Sequence, residues 1–435
     1  MRTCKFGGTS MASAETFKRV KDIIFSEPDR QFVIVSAPGK RFKDDVKVTD
    51  LLYSAFEKRD DKTNPDLALI EKRFLELEKD LGVNAGMAAE LSTIRKLLPT
   101  KNKDYAASRG EYLSAKLFAA FSGFNFVDAS CIIKFDRKGN LDSERTYELV
   151  SHIPPQTVIP GFYGDDVRGE IRTFSRGGSD VTGSIVARGT GSTLYENFTD
   201  VDGFMTADPR IVDNPRIMDV LSYAELRELA YMGANVLHPD SVLPVLKADI
   251  PINIKNTFAP EKKGTLILPT HEVRAHLAEY SRGPITGIAG KTNFTTIFIA
   301  KSMMNSEIGF GKRILEVLDE NRISFEHLPT GIDTMSVIIS GDVSDEIIDR
   351  LIDGIYDRTE PDKIKLFRNL SLIAVVGHGM VETPGIAART CTALYKSGIN
   401  IRMLDQGSSE LNIIVGVKDN DYKNALKAIY KEFNA

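Results

Sequence analysis

The 435-residue chain is short of the groups that disulfide scaffolds and metal centres need. Its three cysteines, Cys4, Cys131 and Cys391, are scattered, with no C-x-x-C spacing. They read as reduced thiols, and the expected location is cytoplasmic. The six histidines (His152, His238, His271, His276, His327 and His378) form no H-x-x-x-H pair, so no protein-held metal is expected. No stretch approaches the ~20 apolar residues that span a bilayer. Arg2 and Lys5 interrupt any leader-like apolar start, and no membrane partner is expected. The net charge is −4 with no basic domain, which argues against a nucleic-acid partner. No G-x-G-x-x-G follows the first strand, which argues against a nicotinamide dehydrogenase. What is present, 42% apolar and 27% charged residues, suits a soluble globular chain. The length is too great for one core, so two or three domains are expected.

The most informative stretch lies at the start. Lys5-Phe6-Gly7-Gly8-Thr9-Ser10 falls between a short strand and a helical pattern, Ala14 to Phe25. Two glycines there let the backbone approach a ligand closely. The N–H groups of such a turn and of the following helix converge on an anion, and Lys5 adds a full charge. The lysine precedes the glycines, so this is not the common P-loop. A tight turn with a merely exposed lysine is the alternative.

Gln31–Ala37 reads as a buried parallel strand whose C-terminal end opens into a loop, where ligands sit in open α/β sheets. Helices follow at Val48–Lys58, Leu67–Leu81 and Ala88–Leu98, the last two amphipathic. Ser108-Arg109-Gly110-Glu111 reads as the opening of a helix over Tyr112–Phe121. Asn125–Asp128, Cys131–Phe135 and Gln156–Gly161 read as strands. A second Gly-Gly turn, Arg176-Gly177-Gly178-Ser179-Asp180, precedes a helix over Val181–Arg188. Asp180 alone would suit a helix cap or dipole partner. After a strand at Leu194–Asn197 come Thr199-Asp200-Val201-Asp202-Gly203 and Asp208-Pro209-Arg210, which suit a nucleotide edge or plain turns. Strands and helices alternate to about Leu268, the pattern of an α/β sandwich. Pro269–Pro284 reads as a connecting helix or linker.

Beyond it lies an internal repeat. A shift of 76 positions aligns Thr295–Ser340 with Ser371–Gly416 without a gap, matching Met304 with Met380, Gly309 with Gly385 and Gly331 with Gly407. Each copy has the β-α-β-β-α-β order of a ferredoxin-like domain. The second copy ends on its last helix, one strand short, and an open edge is unfavourable. Ile285–Lys291 is expected to supply that strand, with the first copy inserted within the second.

In their order, K-F-G-G-T-S at Lys5–Ser10, V-S-A at Val35–Ala37, Gly110-Glu111, R-G-G-S-D at Arg176–Asp180, Thr199-Asp200 and Asp208–Arg210 resemble an aspartate kinase. The C-terminal pair resembles the two ACT domains of that family. The resemblance covers essentially the whole chain and is to the form without a fused homoserine dehydrogenase. It implies an amino-acid-kinase-type open α/β/α sandwich over residues 1–282. ACT domains would follow over 283–368 and 369–435. The implied reaction is ATP-dependent phosphorylation of the β-carboxylate of L-aspartate to 4-phospho-L-aspartate, the entry to lysine, threonine, methionine and diaminopimelate synthesis.

A carboxylate nucleophile is already ionised at neutral pH, so no general base is needed. Catalysis then rests on positioning and charge neutralisation. By resemblance Lys5 neutralises the transferred phosphate and Asp180 orients Lys5. Gly7, Gly8, Thr9 and Ser10 offer N–H and hydroxyl groups to the phosphates. Magnesium is expected on the phosphates, with few protein ligands. For aspartate, Arg176 takes the α-carboxylate, Glu111 the α-ammonium, and Ser36, Thr49 and Ser179 line the β-carboxylate side. The structural alternatives are an exposed first-turn carboxylate for Glu111 and a salt bridge for Arg176. Thr199, Asp200, Met205, Asp208, Arg210 and Lys255 match the nucleotide side. Met205 stands where many relatives have tyrosine, so an adenine stack there is lost. The repeat loop bearing Met303, Met304, Asn305, Ser306, Gly309 and Phe310 is the expected effector site, with lysine favoured, alone or with threonine. A homo-oligomer through the ACT domains, dimer or tetramer, is expected. The alternatives are a repeat that serves only as a dimer interface, and, for the whole chain, another amino-acid kinase or a non-catalytic sensor.

Overall fold

The computed structural model describes the chain apart from residues 176, 235, 236, 238, 277, 278, 280–282, 382 and 435. It divides into two units. The first comprises Met1–Phe204, Ile217–Arg227 and Asn235–His276; the second comprises Met205–Arg216, Glu228–Ala234 and Leu277–Ala435.

The strands of the first unit are β1 (Arg2–Phe6), β2 (Arg30–Val35), β3 (Asn125–Phe126), β4 (Thr157–Pro160), β5 (Tyr163–Asp165), β6 (Ile171–Thr173), β7 (Leu194–Thr199), β8 (Val220–Ser222), β9 (Ile252–Asn256) and β10 (Thr265–Leu268). Eight of them form one sheet in the order β3-β4-β2-β1-β7-β9-β10-β8, and β5 with β6 forms a separate hairpin. From β3 to β9 every neighbour is parallel; β10 runs antiparallel to β9. The chain leaves β1 for β2 on one side and returns later to β7 on the other. That reversal opens a crevice at the carboxyl end of β1, which is where open α/β sheets bind ligands. Phe6 and Phe198 are register partners and stack at 4.7 Å, closing the sheet beneath the crevice.

Local chemistry sets the flanking helices. Ser13 and Thr16 form a reciprocal capping box that starts the helix Ala14–Phe25, whose Phe17, Val20, Ile23 and Ile24 are buried. Asn102 caps a helix that runs from Lys103 to Ser122, so Ser108–Glu111 lies inside it and does not open it. Cys131–Phe135 is no strand either: Asp128 accepts from the Ser130 N–H and starts the short helix Ala129–Ile132. In both places a side-chain cap decided what the apolar pattern left open. No helix among the described residues is long and apolar enough to cross a membrane.

In the second unit β11 (Gly287–Ala300), β12 (Phe325–His327), β13 (Thr334–Ser340), β14 (Lys363–Val376), β15 (Met403–Asp405) and β16 (Asn412–Lys418) form an antiparallel sheet in the order β12-β13-β11-β14-β16-β15. Each repeat copy therefore has four strands, because β11 and β14 serve both. Phe294–Ala300 pairs with β13 in the first copy, and Gly287–Lys291 pairs with Leu372–Val376 in the second. The halves of these long strands meet at Asn293 and Asn369, both with positive φ and 76 positions apart. Asparagine tolerates that conformation better than most residues. Ala207, Ile211 and Val212 join the core of the second copy, with Ile373, Val375, Leu394 and Leu426.

Candidate active site

Lys5 and Asn197 are register partners on β1 and β7, so their side chains leave the sheet on the same face. Both reach Asp180 of the helix Gly178–Gly189. Lys5 Nζ lies 2.7 Å from Asp180 Oδ1, and Asn197 Nδ2 donates to the same oxygen at 2.9 Å. Lys5 is only 8% exposed, so it is not a free surface lysine. Asp180 is not the helix cap; Gly177 holds that position without a side-chain bond. The carboxylate instead fixes the ammonium.

A cavity of about 220 Å³ opens beside this pair. Lys5, Ser36, Thr49, Glu111, Phe162, Gly177, Gly178, Ser179 and Asp180 line it. It gathers the residues that the resemblance assigned to the reacting lysine, to its carboxylate partner, and to the α-ammonium and β-carboxylate sides of the acceptor. Glu111 is the departure. It is 6% exposed, mid-helix, and its Oε2 has no hydrogen-bond partner. Burial pushes its carboxyl up to about 8, against the opposing pull of backbone N–H groups and Arg109. The neighbouring Gly110 lets the helix sit against the loop after β2: a Cβ there would lie 2.7 Å from that of Ala37.

The turn after β1 is the 3-10 helix Gly8–Met11, whose first N–H groups have no partner within the turn. Gly8 and Gly39 touch backbone to backbone: the Gly39 N–H donates to Gly8 O at 2.8 Å, and a Cβ on Gly39 would lie 2.7 Å from the Gly8 carbonyl carbon. Thr9 Oγ1 donates to Asp200 Oδ2 at 3.2 Å, and Thr199 Oγ1 to Asp200 Oδ1 at 3.3 Å. Ser10 differs from expectation. It is fully buried, its N–H donates to Gly7 O, and its hydroxyl bonds Thr257 Oγ1 at 2.7 Å. It anchors the turn from below and offers nothing to a phosphate.

Arg176 lies outside the described residues. Lys255 is the penultimate residue of β9 and lines a different, larger groove with the helix Ala14–Phe25. Met205, Asp208 and Arg210 belong to the second unit, where Arg210 forks onto Asp208 at 2.7–3.1 Å. In the expected effector loop Met303 is exposed, and its N–H donates to Asp333 Oδ1 at 2.9 Å. The Asn305 N–H donates to Ile332 O, and Ser306 Oγ to Asn305 Oδ1. Gly309, with φ 80°, caps the helix Phe310–Glu320. Met304 and Phe310 are in the first copy's core and offer no ligand surface, which corrects their expected role; the apolar packing of the helix claims them. In the second copy the matching loop lines a cavity of about 550 Å³ with Thr383, Gly385, Gln406 and Glu410. Sequence reasoning missed Asn197, Phe162 and Gly39. A polar residue in an otherwise buried strand was the available signal for Asn197.

A mostly parallel sheet with a lysine–aspartate pair at its switch point is built to hold an anionic small molecule. Residues 3–256 match the model of the amino acid kinase family, and residues 373–433 match an ACT domain. Aspartokinase 3 of Bacillus subtilis is 37% identical over 456 aligned positions, covering 100% of this chain and 99% of that protein. The crystal structure of Clostridium acetobutylicum aspartate kinase shares 46% identity and a TM-score of 0.93 over the full length of both chains. Escherichia coli aspartokinase III, solved with aspartate and ADP, has the same fold at a TM-score of 0.76 and 22% identity, covering 99% of each chain. The chain belongs to the amino acid kinase family and, within it, to the aspartokinases. It is an aspartate kinase with an ACT domain.

Proposed function

We propose that the β-carboxylate of L-aspartate attacks the γ-phosphate of ATP in the cavity beside Lys5, giving 4-phospho-L-aspartate and ADP. The observation that carries this reading is the Lys5–Asp180 pair facing a small cavity that also holds the buried carboxyl group of Glu111. The acceptor needs no base, so the residues act by charge and position. Lys5 draws negative charge from the phosphoryl oxygens as the bond to ADP breaks. Asp180 and Asn197 keep its ammonium aimed at the crevice. Gly7, Gly8 and Thr9 wrap the phosphates, and Thr199 and Asp200, beside that turn, serve the nucleotide. Glu111 takes the α-ammonium of aspartate, Arg176 its α-carboxylate, and Ser36, Thr49 and Ser179 flank its β-carboxylate. Asp200 is a hard oxygen donor beside the turn, which fits magnesium held mainly by phosphates and water. When bound, that ion neutralises phosphate charge.

Regulation is proposed to act through the ACT pair, with lysine, alone or with threonine, as effector of a homo-oligomer. A structural relative, Escherichia coli aspartokinase III, has been solved with lysine and aspartate. An effector acts here by binding an inhibited arrangement better than an active one.

The test is acyl-phosphate formation from MgATP, trapped with hydroxylamine. Aspartate gives hydroxamate, glutamate gives none, and millimolar lysine lowers the yield. Hydroxamate from glutamate alone overturns the acceptor assignment. An unchanged yield, with no lysine binding, overturns the effector assignment.

A further inference from the structure

Arg73 lies on the helix Pro65–Leu81, carries no assigned role and is 3% exposed. Its guanidinium donates to three backbone carbonyls, one at the end of the turn after β1 and two in the loop after β2. Nη1 reaches Val46 O at 3.2 Å, and Nη2 reaches Ala12 O at 3.2 Å and also Gly39 O. Nε has no partner. An arginine kept for a structural ion pair would set its fork on a carboxylate. Asp45 stands near enough at 3.6 Å, but the fork on Asp45 comes from Arg41, at 2.8 and 3.0 Å. Arg73 thus spends its donors on backbone.

The three carbonyls mark the frame of the active site. Ala12 ends the turn Gly8–Met11 on the phosphate side. Gly39 sits against Gly8 and follows Ser36 of the acceptor side. Val46 leads into the helix Val48–Glu57, which carries Thr49. We propose that Arg73 is a positioning residue for phosphoryl transfer: it ties the phosphate turn to the acceptor loop and fixes their separation. The proposal rests on the assignment of the Lys5 cavity as the active site. Loosening this tie lets the two reacting groups drift, and a misplacement of about 1 Å costs on the order of 10²-fold in rate. It also admits water as acceptor, so that ATP and water give ADP and inorganic phosphate.

The test uses the full chain and measures ADP and hydroxamate in the same reaction. Arg73→Met is expected to lower kcat by roughly 10- to 100-fold. Its aspartate KM should stay within about threefold, and its ratio of ADP to hydroxamate should rise. Arg73→Lys, a point charge without the fork, falls between it and wild type. Gly39→Ala keeps the arginine but forces a Cβ against Gly8, and is expected to uncouple in the same way. If Arg73→Met does not fold, Arg73→Lys and Gly39→Ala decide the matter. Unchanged ADP-to-hydroxamate ratios in the folded variants, with any lost activity matched by lost folded protein, overturn the proposal. Lys5→Met run in parallel separates the two claims. If it retains wild-type hydroxamate formation, the site assignment itself fails; if it is inactive while Arg73→Met stays coupled, only the role of Arg73 fails.

Discussion

Asn197 donates to the very oxygen of Asp180 that Lys5 approaches, so one carboxylate oxygen holds two partners brought from adjacent parallel strands. Asp180 is thereby committed to orienting the ammonium, with no free role as a base. Lys5→Met should lower kcat by about 10²–10³-fold, the scale of losing one preorganised charge stabiliser. Lys5→Arg should not restore it, since a planar fork does not fit where a compact ammonium sits. Steady-state hydroxamate assays on folded protein check both, and a Lys5→Arg variant near wild type would refute the argument.

Glu111 makes stability depend on pH. Its folded-state value of about 8 exceeds the ordinary 4.5, so the folded chain holds the proton more tightly than the unfolded chain does. Between these values the native state binds more protons, and stability falls as pH rises from about 4.5 to 8. Glu111→Gln removes that slope. The variant should gain on the order of 2–4 kcal/mol over wild type by pH 8 and little at pH 4.5, while losing aspartate affinity. Urea unfolding at pH 5, 6.5 and 8 measures this; a constant difference across the series contradicts it.

Aspartate binding should release a proton. At pH 7 the empty site holds Glu111 mostly protonated, and an α-ammonium placed against it favours the carboxylate. Calorimetry in buffers of different ionisation enthalpy should show most of a proton leaving at pH 7 and far less at pH 9. Glu111→Gln should bind weakly with no proton release.

Beneath the crevice Arg30 grips Glu196 with a two-point fork, at 2.7 and 2.8 Å, and both side chains are almost fully buried. Glu196→Gln leaves a buried guanidinium short of charge and should cost about 3–5 kcal/mol. An Arg30→Met, Glu196→Leu double variant should cost less than either single change, because no ion is left stranded. Denaturant midpoints compare them, and additive losses would show that the pair is not coupled.

Much of this was legible in the chain. The Gly-Gly turns and their position after strands pointed to Lys5 and Asp180, and the resemblance they helped carry named Ser36, Thr49, Glu111 and Ser179, which line the same cavity. The repeat was legible because 76-residue self-similarity survives in order and spacing. Glu111 was read as opening a helix because nothing in Ser108–Glu111 reveals that Asn102 had already capped one. Met304 and Phe310 were read as ligand groups because a loop motif does not say which of its side chains the core will take. Arg73 gave no signal, since its acceptors are backbone atoms 27, 34 and 61 positions away.

The sequence by itself determined the periodicities, the turns and caps, the doubled C-terminal domain and the chemistry available at each position. These are local properties, fixed by the size, charge and backbone preference of neighbouring residues. Tertiary structure decided which of those groups meet and in what state. Lys5 and Asp180 are separated by 175 positions and become partners only when the sheet brings β1 beneath the helix Gly178–Gly189. The carboxyl of Glu111 rises to about 8 only because packing removes the water that would stabilise its charge.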